Sequence, residues 1–271
     1  MFALPLLFGL RVPDVLHQDT LPAALRPWLT RYGVQIVRHL GSGIASIVRP
    51  TAVDAFQVYV ETFSQVAKKY GVMIAAGSGL FPAIDHEPSR GWQAASRQVY
   101  NLGHVFSDRG KRLGEVRKQQ LTALERRLGI TPANTLPSVI HAPWGKLAVT
   151  LCLDGFFDGI ISHFDGQGAH IVIQPSANFA RWDAPWTAGK QYLEGDAWLS
   201  FGLRHTIQDR EHIRYGVNPM MVGNLWGMVM EGRSSILANS RYHLAACEGY
   251  AGVLELAPTA HEDALVSTTV S

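Results

Sequence analysis

Short apolar runs, several of them rich in β-branched residues, alternate along this chain with longer amphipathic stretches. Strand-like runs fall at Gly71–Ala76, Ser138–Ile140, Leu147–Leu151, His170–Gln174, Met220–Val222 and Ser234–Leu237. Helical spacing covers Val53–Tyr70, Gln119–Leu128, Phe156–Gln167 and Tyr192–Arg214. Strands and helices in alternation, with turn residues between them, predict an α/β layered domain rather than a bundle or a β-sandwich. No repeat, low-complexity tract or long linker divides the 271 residues, so residues 1–271 read as a single domain. The stretch Arg11–Thr51 holds four prolines and three glycines, which predicts short helices and loops over one end of the sheet.

Composition excludes several function classes. Charged residues are mixed along the chain and the formal net charge is only +2, which argues against nucleic acid and against an anionic membrane as partners. The apolar start, Met1–Leu10, lacks a basic flank and is too short to span a bilayer; it reads as a buried strand and its exit loop. Eleven histidines are present, none at zinc-ligand spacing with each other or with the cysteines, so no metal is predicted. Two cysteines, Cys152 and Cys247, do not make a disulfide scaffold, which points to a reducing, cytoplasmic compartment.

Chemistry concentrates in two windows. In Gly145–Phe157 an apolar strand runs into Cys152, followed by what reads as a helix start. A thiol at such an elbow sits among backbone N–H groups that lower its pKa and bind an oxyanion. A buried cysteine acting as a small hydrophobe explains the same pattern. In Gly114–Glu125, Lys118 stands at a strand end beside Arg117; a solvated lysine is the plain alternative.

Together with four further segments, these windows resemble the nitrilase superfamily of carbon–nitrogen hydrolases over nearly the whole chain. Ala67–Ser78 is similar to the family's segment that ends in Gly-Ser, and Tyr100–Gly110 to its Tyr-Asn hairpin. Arg117–Leu121 is similar to its Arg-Lys segment, with Gln120 where histidine is usual, and Leu151–Asp154 to its Cys-x-Asp segment. Gly168–Ser176 and Gly232–Ile236 follow in the family's order. The resemblance implies a four-layer α-β-β-α sandwich with mixed sheets and a Glu–Lys–Cys triad. It implies that Cys152 attacks the carbon of a small amide or nitrile, with Lys118 stabilising the oxyanion and the Leu153 N–H completing the oxyanion site. Glu125 matches a second glutamate that lines the pocket near the lysine in some branches; a helix glutamate pairing with Arg126 is the alternative. Trp182, Trp186 and Tyr192 fall where the family shapes its acyl pocket and makes subunit contacts, or they form a packed lid. Neither cofactor nor metal is implied, and the family's habit implies a homodimer or larger assembly.

One position departs from the pattern. Where the family carries its general-base glutamate, the segment Phe2–Leu10 places Leu6. The strand and helix that usually come before that segment are missing, so the domain reads as N-terminally shortened. Loss of the base leaves a buried ammonium at Lys118 without its expected carboxylate, which is costly. Two readings follow: a carbon–nitrogen hydrolase weakened by the loss of its base, or a non-catalytic nitrilase-fold protein serving as a binding or assembly module. A cysteine protease of another fold would need His141 or His163 beside Cys152.

Overall fold

The computed structural model describes residues 48–225 and 228–270. The strand expected over Met1–Leu10, with Leu6 in it, and the Arg11–Thr51 stretch as far as residue 47 lie outside the described residues. The chain divides into two compact units, Met1–Asn134 and Thr135–Ser271.

In the first unit a 3-10 turn, Arg49–Thr51, leads into helix α1, Ala52–Tyr70. Ala52, Ala55, Phe56, Tyr59 and Ala67 are its buried face, the spacing that one side of a 3.6-residue helix requires. Gly71 ends it in the left-handed conformation (φ 63°), its N–H bonded to Ala67 O, with Lys68 and Lys69 in the last turn. The helix packs on a four-stranded antiparallel sheet of β1 (Ile74–Ala75), β2 (Gly79–Glu87), β3 (Gly91–Phe106) and β4 (Arg112–Arg117), in which β3 pairs with the other three. Phe56, Tyr59, Phe81, Leu102 and Phe106 form the core between helix and sheet. The Tyr59 hydroxyl ties the two layers by donating to Gly77 O (3.0 Å) and accepting from the His104 N–H (3.0 Å). Beyond β4 the expected helix Gln119–Leu128 shrinks to α2, Ala123–Arg127. Its start is set by Thr122, whose side chain accepts from the Glu125 N–H while Glu125 accepts from the Thr122 N–H, a reciprocal capping box.

The second unit carries a mixed six-stranded sheet and several short ribbons. Its strands are β5 (Ile140–Ala142), β6 (Gly145–Val149), β7 (Ile171–Ile173), β8 (Ser176–Ala177), β9 (Tyr215–Asn218), β10 (Met220–Met221), β11 (Gly223–Leu225), β12 (Met228–Met230), β13 (Ser235–Ala238), β14 (Ala246–Cys247), β15 (Tyr250–Ala251) and β16 (Val253–Leu256). The sheet runs β16-β13-β9-β7-β6-β5, parallel from β6 through β7 to β9 and antiparallel at both edges. Parallel neighbours need crossovers, and helix α3 (Asp158–Gly166) supplies the one between β6 and β7, burying Ile160, Ile161 and Phe164. Helices α4 (Glu194–Phe201) and α5 (Leu203–Thr206) precede β9. The single helix expected over Tyr192–Arg214 is therefore broken: Gly202 is extended (ψ −152°), and a Cβ there would collide with the Trp198 carbonyl. Beyond the break, the Asp165 carboxylate accepts from the N–H groups of Glu211, His212 and Ile213, holding that segment in a turn.

Among the described residues, no helix is long and apolar enough to cross a membrane. No group of three or more His, Cys, Asp or Glu among them could hold a metal ion.

Candidate active site

Lys118 follows β4 directly and is buried, not solvated. Its backbone is pinned on both sides, its N–H to Asn101 O and its O to the Ala133 N–H, each at 2.9 Å. Its Nζ lies 2.8 Å from Glu125 Oε2. The other carboxylate oxygen of Glu125 accepts from Asn101 Nδ2 (2.9 Å). Glu125 is thus the partner of Lys118, not an exposed helix residue paired with Arg126. The ammonium expected to lack a carboxylate has one.

Burial alone would push the Glu125 carboxyl upward. The charge of Lys118 and the hydrogen bonds from Lys118, the Thr122 N–H and Asn101 outweigh it and hold the group below the ordinary carboxylate range. Glu125 is therefore ionised at neutral pH. Two residues that sequence reasoning did not single out, Asn101 and Thr122, hold this pair. Thr122 was legible as the first residue of a Thr-x-x-Glu capping box.

In the second unit, Cys152 opens a 3-10 turn, Cys152–Phe156, just beyond β6. The expected strand-to-helix elbow is present, with a 3-10 turn in place of a longer helix. Cys152 itself sits at φ 50°, in the left-handed region. For a residue with a Cβ that conformation costs about 1–2 kcal/mol, and it persists where surrounding structure dictates it. Here the Cys152 N–H donates to Pro175 O (3.0 Å), and Sγ lies 3.8 Å from Ala177 O. The turn begins with the Leu151 carbonyl, which accepts from the Asp154 N–H (3.1 Å). The Leu153 N–H therefore stands ahead of any carbonyl within the turn that could accept it, the usual state of a helix's first donors. Leu153 is half-buried.

The carbon–nitrogen hydrolase family model matches residues 47–197, more than half of the 271-residue chain and a span that includes Lys118, Glu125 and Cys152. The chain belongs to the carbon–nitrogen hydrolase family. A curated relative from Mus musculus, deaminated glutathione amidase, is 26% identical over 123 residues, which are 42% of this chain and 36% of the relative. The chain thus spans well under half the length of such relatives. Two solved structures carry the fold. The carbon–nitrogen hydrolase from Helicobacter pylori G27 has a TM-score of 0.57 at 18% identity, covering 78% of this chain and 66% of that one. An amidase of the nitrilase superfamily from Nesterenkonia sp. AN1 has a TM-score of 0.53 at 15% identity, covering 76% and 69%. The fold is of the nitrilase type, α/β with mixed sheets.

The other sequence candidates of this carbon–nitrogen hydrolase lie in the second unit. Trp186 stacks on Phe201 (5.5 Å), Tyr192 meets the same ring edge-on (4.9 Å), and Trp182 lies against Gly195 while its backbone N–H donates to Glu231 Oε2 (2.6 Å). All three aromatics have packing partners within the second unit. His163 bonds Gln167 in the last turn of α3, and His141 is exposed on β5.

Gly155, inside the turn that Cys152 opens, is there for space. A Cβ at this position would fall inside the buried amide of Gln174. Overpacking of this kind costs about 1–3 kcal/mol. Gly155→Ala is expected to lower the thermal midpoint accordingly, and an unchanged unfolding curve would refute the contact.

Proposed function

We propose that this chain is an amidase-type carbon–nitrogen hydrolase that passes the acyl group of a small amide, or a nitrile, through Cys152. The observation that carries the reading is the elbow: a half-buried cysteine in a left-handed conformation at the head of a turn, in a chain of the carbon–nitrogen hydrolase family. Two named relatives favour amides. One is an amidase, and a mutant of the Nesterenkonia sp. AN1 amidase displays Michael addition of acrylamide at its active site cysteine.

In this reading the Cys152 thiolate adds to the amide carbon, and negative charge develops on the carbonyl oxygen. The Leu153 N–H receives that charge. In the first unit, Glu125 holds the Lys118 side chain in place. The C–N bond then breaks, the nitrogen takes the thiol's proton and leaves as ammonia or an amine, and the acyl group remains on Sγ as a thioester. Water cleaves the C–S bond, giving a carboxylic acid and restoring the thiol. With Leu6 at the position of the general base, proton transfer loses a factor of about 10² to 10⁴, which slows hydrolysis of the thioester. The two cysteines form no disulfide, which suits a thiol nucleophile in a reducing cytoplasm.

Slow deacylation makes the intermediate observable. Intact-mass spectrometry after incubation with a panel of small amides and nitriles is expected to find Cys152 heavier by one acyl group. A folded chain that takes up no mass from any of them is instead a non-catalytic nitrilase-fold module.

A further inference from the structure

We propose that Gln174 is a positioning residue that aims the Leu153 N–H at the reacting oxygen; the proposal rests on Cys152 being the nucleophile. Gln174 follows β7 and is fully buried. Its side-chain Nε2 donates to the carbonyl of Cys152 at 2.5 Å. The next residue, Pro175, takes the Cys152 N–H, so both backbone polar groups of the nucleophile end on consecutive residues of one segment.

The consequence lies in the peptide that joins Cys152 to Leu153. A peptide is planar and trans, so its C=O and N–H point in opposite directions. Fixing the carbonyl of Cys152 fixes the direction of the Leu153 N–H. Cys152 is in the left-handed region (φ 50°), which persists only where neighbours hold the backbone. The Gln174 amide is one such hold.

The amide itself has little freedom. Gln174 N–H donates to Val217 O (2.8 Å), and its carbonyl accepts from Ser176 Oγ (3.0 Å). Gly155 leaves the space its side chain occupies. Its Oε1 is buried without a partner among the described residues. An amide whose second end goes unsatisfied is a poor choice for packing alone, where an apolar side chain of equal size would avoid the cost. Its donating end accounts for its presence.

The test separates carbonyl addition from plain thiol reactivity in the full chain. Acetylation of Cys152 by p-nitrophenyl acetate adds Sγ to a carbonyl carbon and expels p-nitrophenolate, so it needs the oxyanion donor. Alkylation by iodoacetamide displaces iodide at a saturated carbon and does not. Gln174→Met keeps the volume and removes the donor. Acetylation is expected to fall by about 10²-fold, the scale for losing one oxyanion donor, with alkylation unchanged. Equal losses in both reactions, or no loss in either, overturn the proposal. Gln174→Glu gives a second reading if the first variant folds poorly. The ratio of acetylation to alkylation cancels the thiolate population, and it should recover as pH falls and the new carboxyl gains a proton to donate. A ratio that stays level with pH overturns the proposal. If the wild-type chain alkylates but never acetylates, the hydrolase reading fails separately. A crystal structure of Gln174→Met then decides: a turned 152–153 peptide supports the clamp, and an unmoved one overturns it.

Discussion

Cys152→Ala is expected to abolish acyl-adduct formation and to reduce any amide turnover by about 10⁶-fold, the scale seen when a catalytic nucleophile is deleted. Every covalent step of the proposed reaction passes through Sγ, so no neighbouring group can share the loss. Stability should change little, since the substitution keeps the Cβ and removes a single half-buried sulfur atom. Cys152→Gly sharpens the test. Alanine retains the strain of φ 50° and glycine does not. The glycine variant should therefore be inactive yet more stable than the alanine variant by up to about 1 kcal/mol, after allowing for the greater freedom of its unfolded chain. Residual adduct formation in either variant, seen by intact mass, would remove Cys152 from the nucleophile's role. Equal unfolding midpoints for the two would remove the strain.

Lys118→Met carries the second large effect, on stability. Breaking a buried ion pair strands its partner, at about 3–5 kcal/mol. Glu125 would keep the hydrogen bonds of the Thr122 N–H and Asn101 Nδ2, but it would lose the charge that holds its carboxyl down. The sign of the pH dependence follows. In the wild type the folded carboxyl titrates below its unfolded counterpart, so its contribution is present above the unfolded value, about 4.3, and fades as pH falls through the folded one. In the variant, burial dominates and the folded carboxyl titrates higher, so acid relieves it. The stability gap between wild type and Lys118→Met should therefore narrow as pH drops through the carboxylate range. Denaturant unfolding between neutral pH and pH 4 measures this, and a gap that widens with acid would show that Glu125 is not the stranded partner.

Much of this was legible locally. Helix α1 announced itself by its apolar spacing and its closing Gly71, because a helix start, face and stop are each written within a few residues. Cys152 was legible for a similar reason: an apolar strand, one reactive residue and a turn are contiguous. The second half of β3 was read as the Tyr100–Gly110 hairpin and its first half, of mixed composition, was not, while β9 was missed because its parallel partner β7 lies far back along the chain. The expected helix through Tyr192–Arg214 failed at Gly202, where the Trp198 carbonyl leaves no room for a side chain.

By itself the sequence determined the α/β class, several of the elements and which residue types bear chemistry: a thiol after a strand, a lysine beside Arg117, a glutamate seven residues on. Only the tertiary structure decided whom each meets. Lys118 is buried yet partnered because Glu125, held by Asn101 from β3, answers it. The Cys152 carbonyl is fixed because Gln174 reaches it from the next strand's exit. Burial makes such choices obligatory, since a polar group taken out of water must find a partner, and the partner's distance along the chain leaves no local mark.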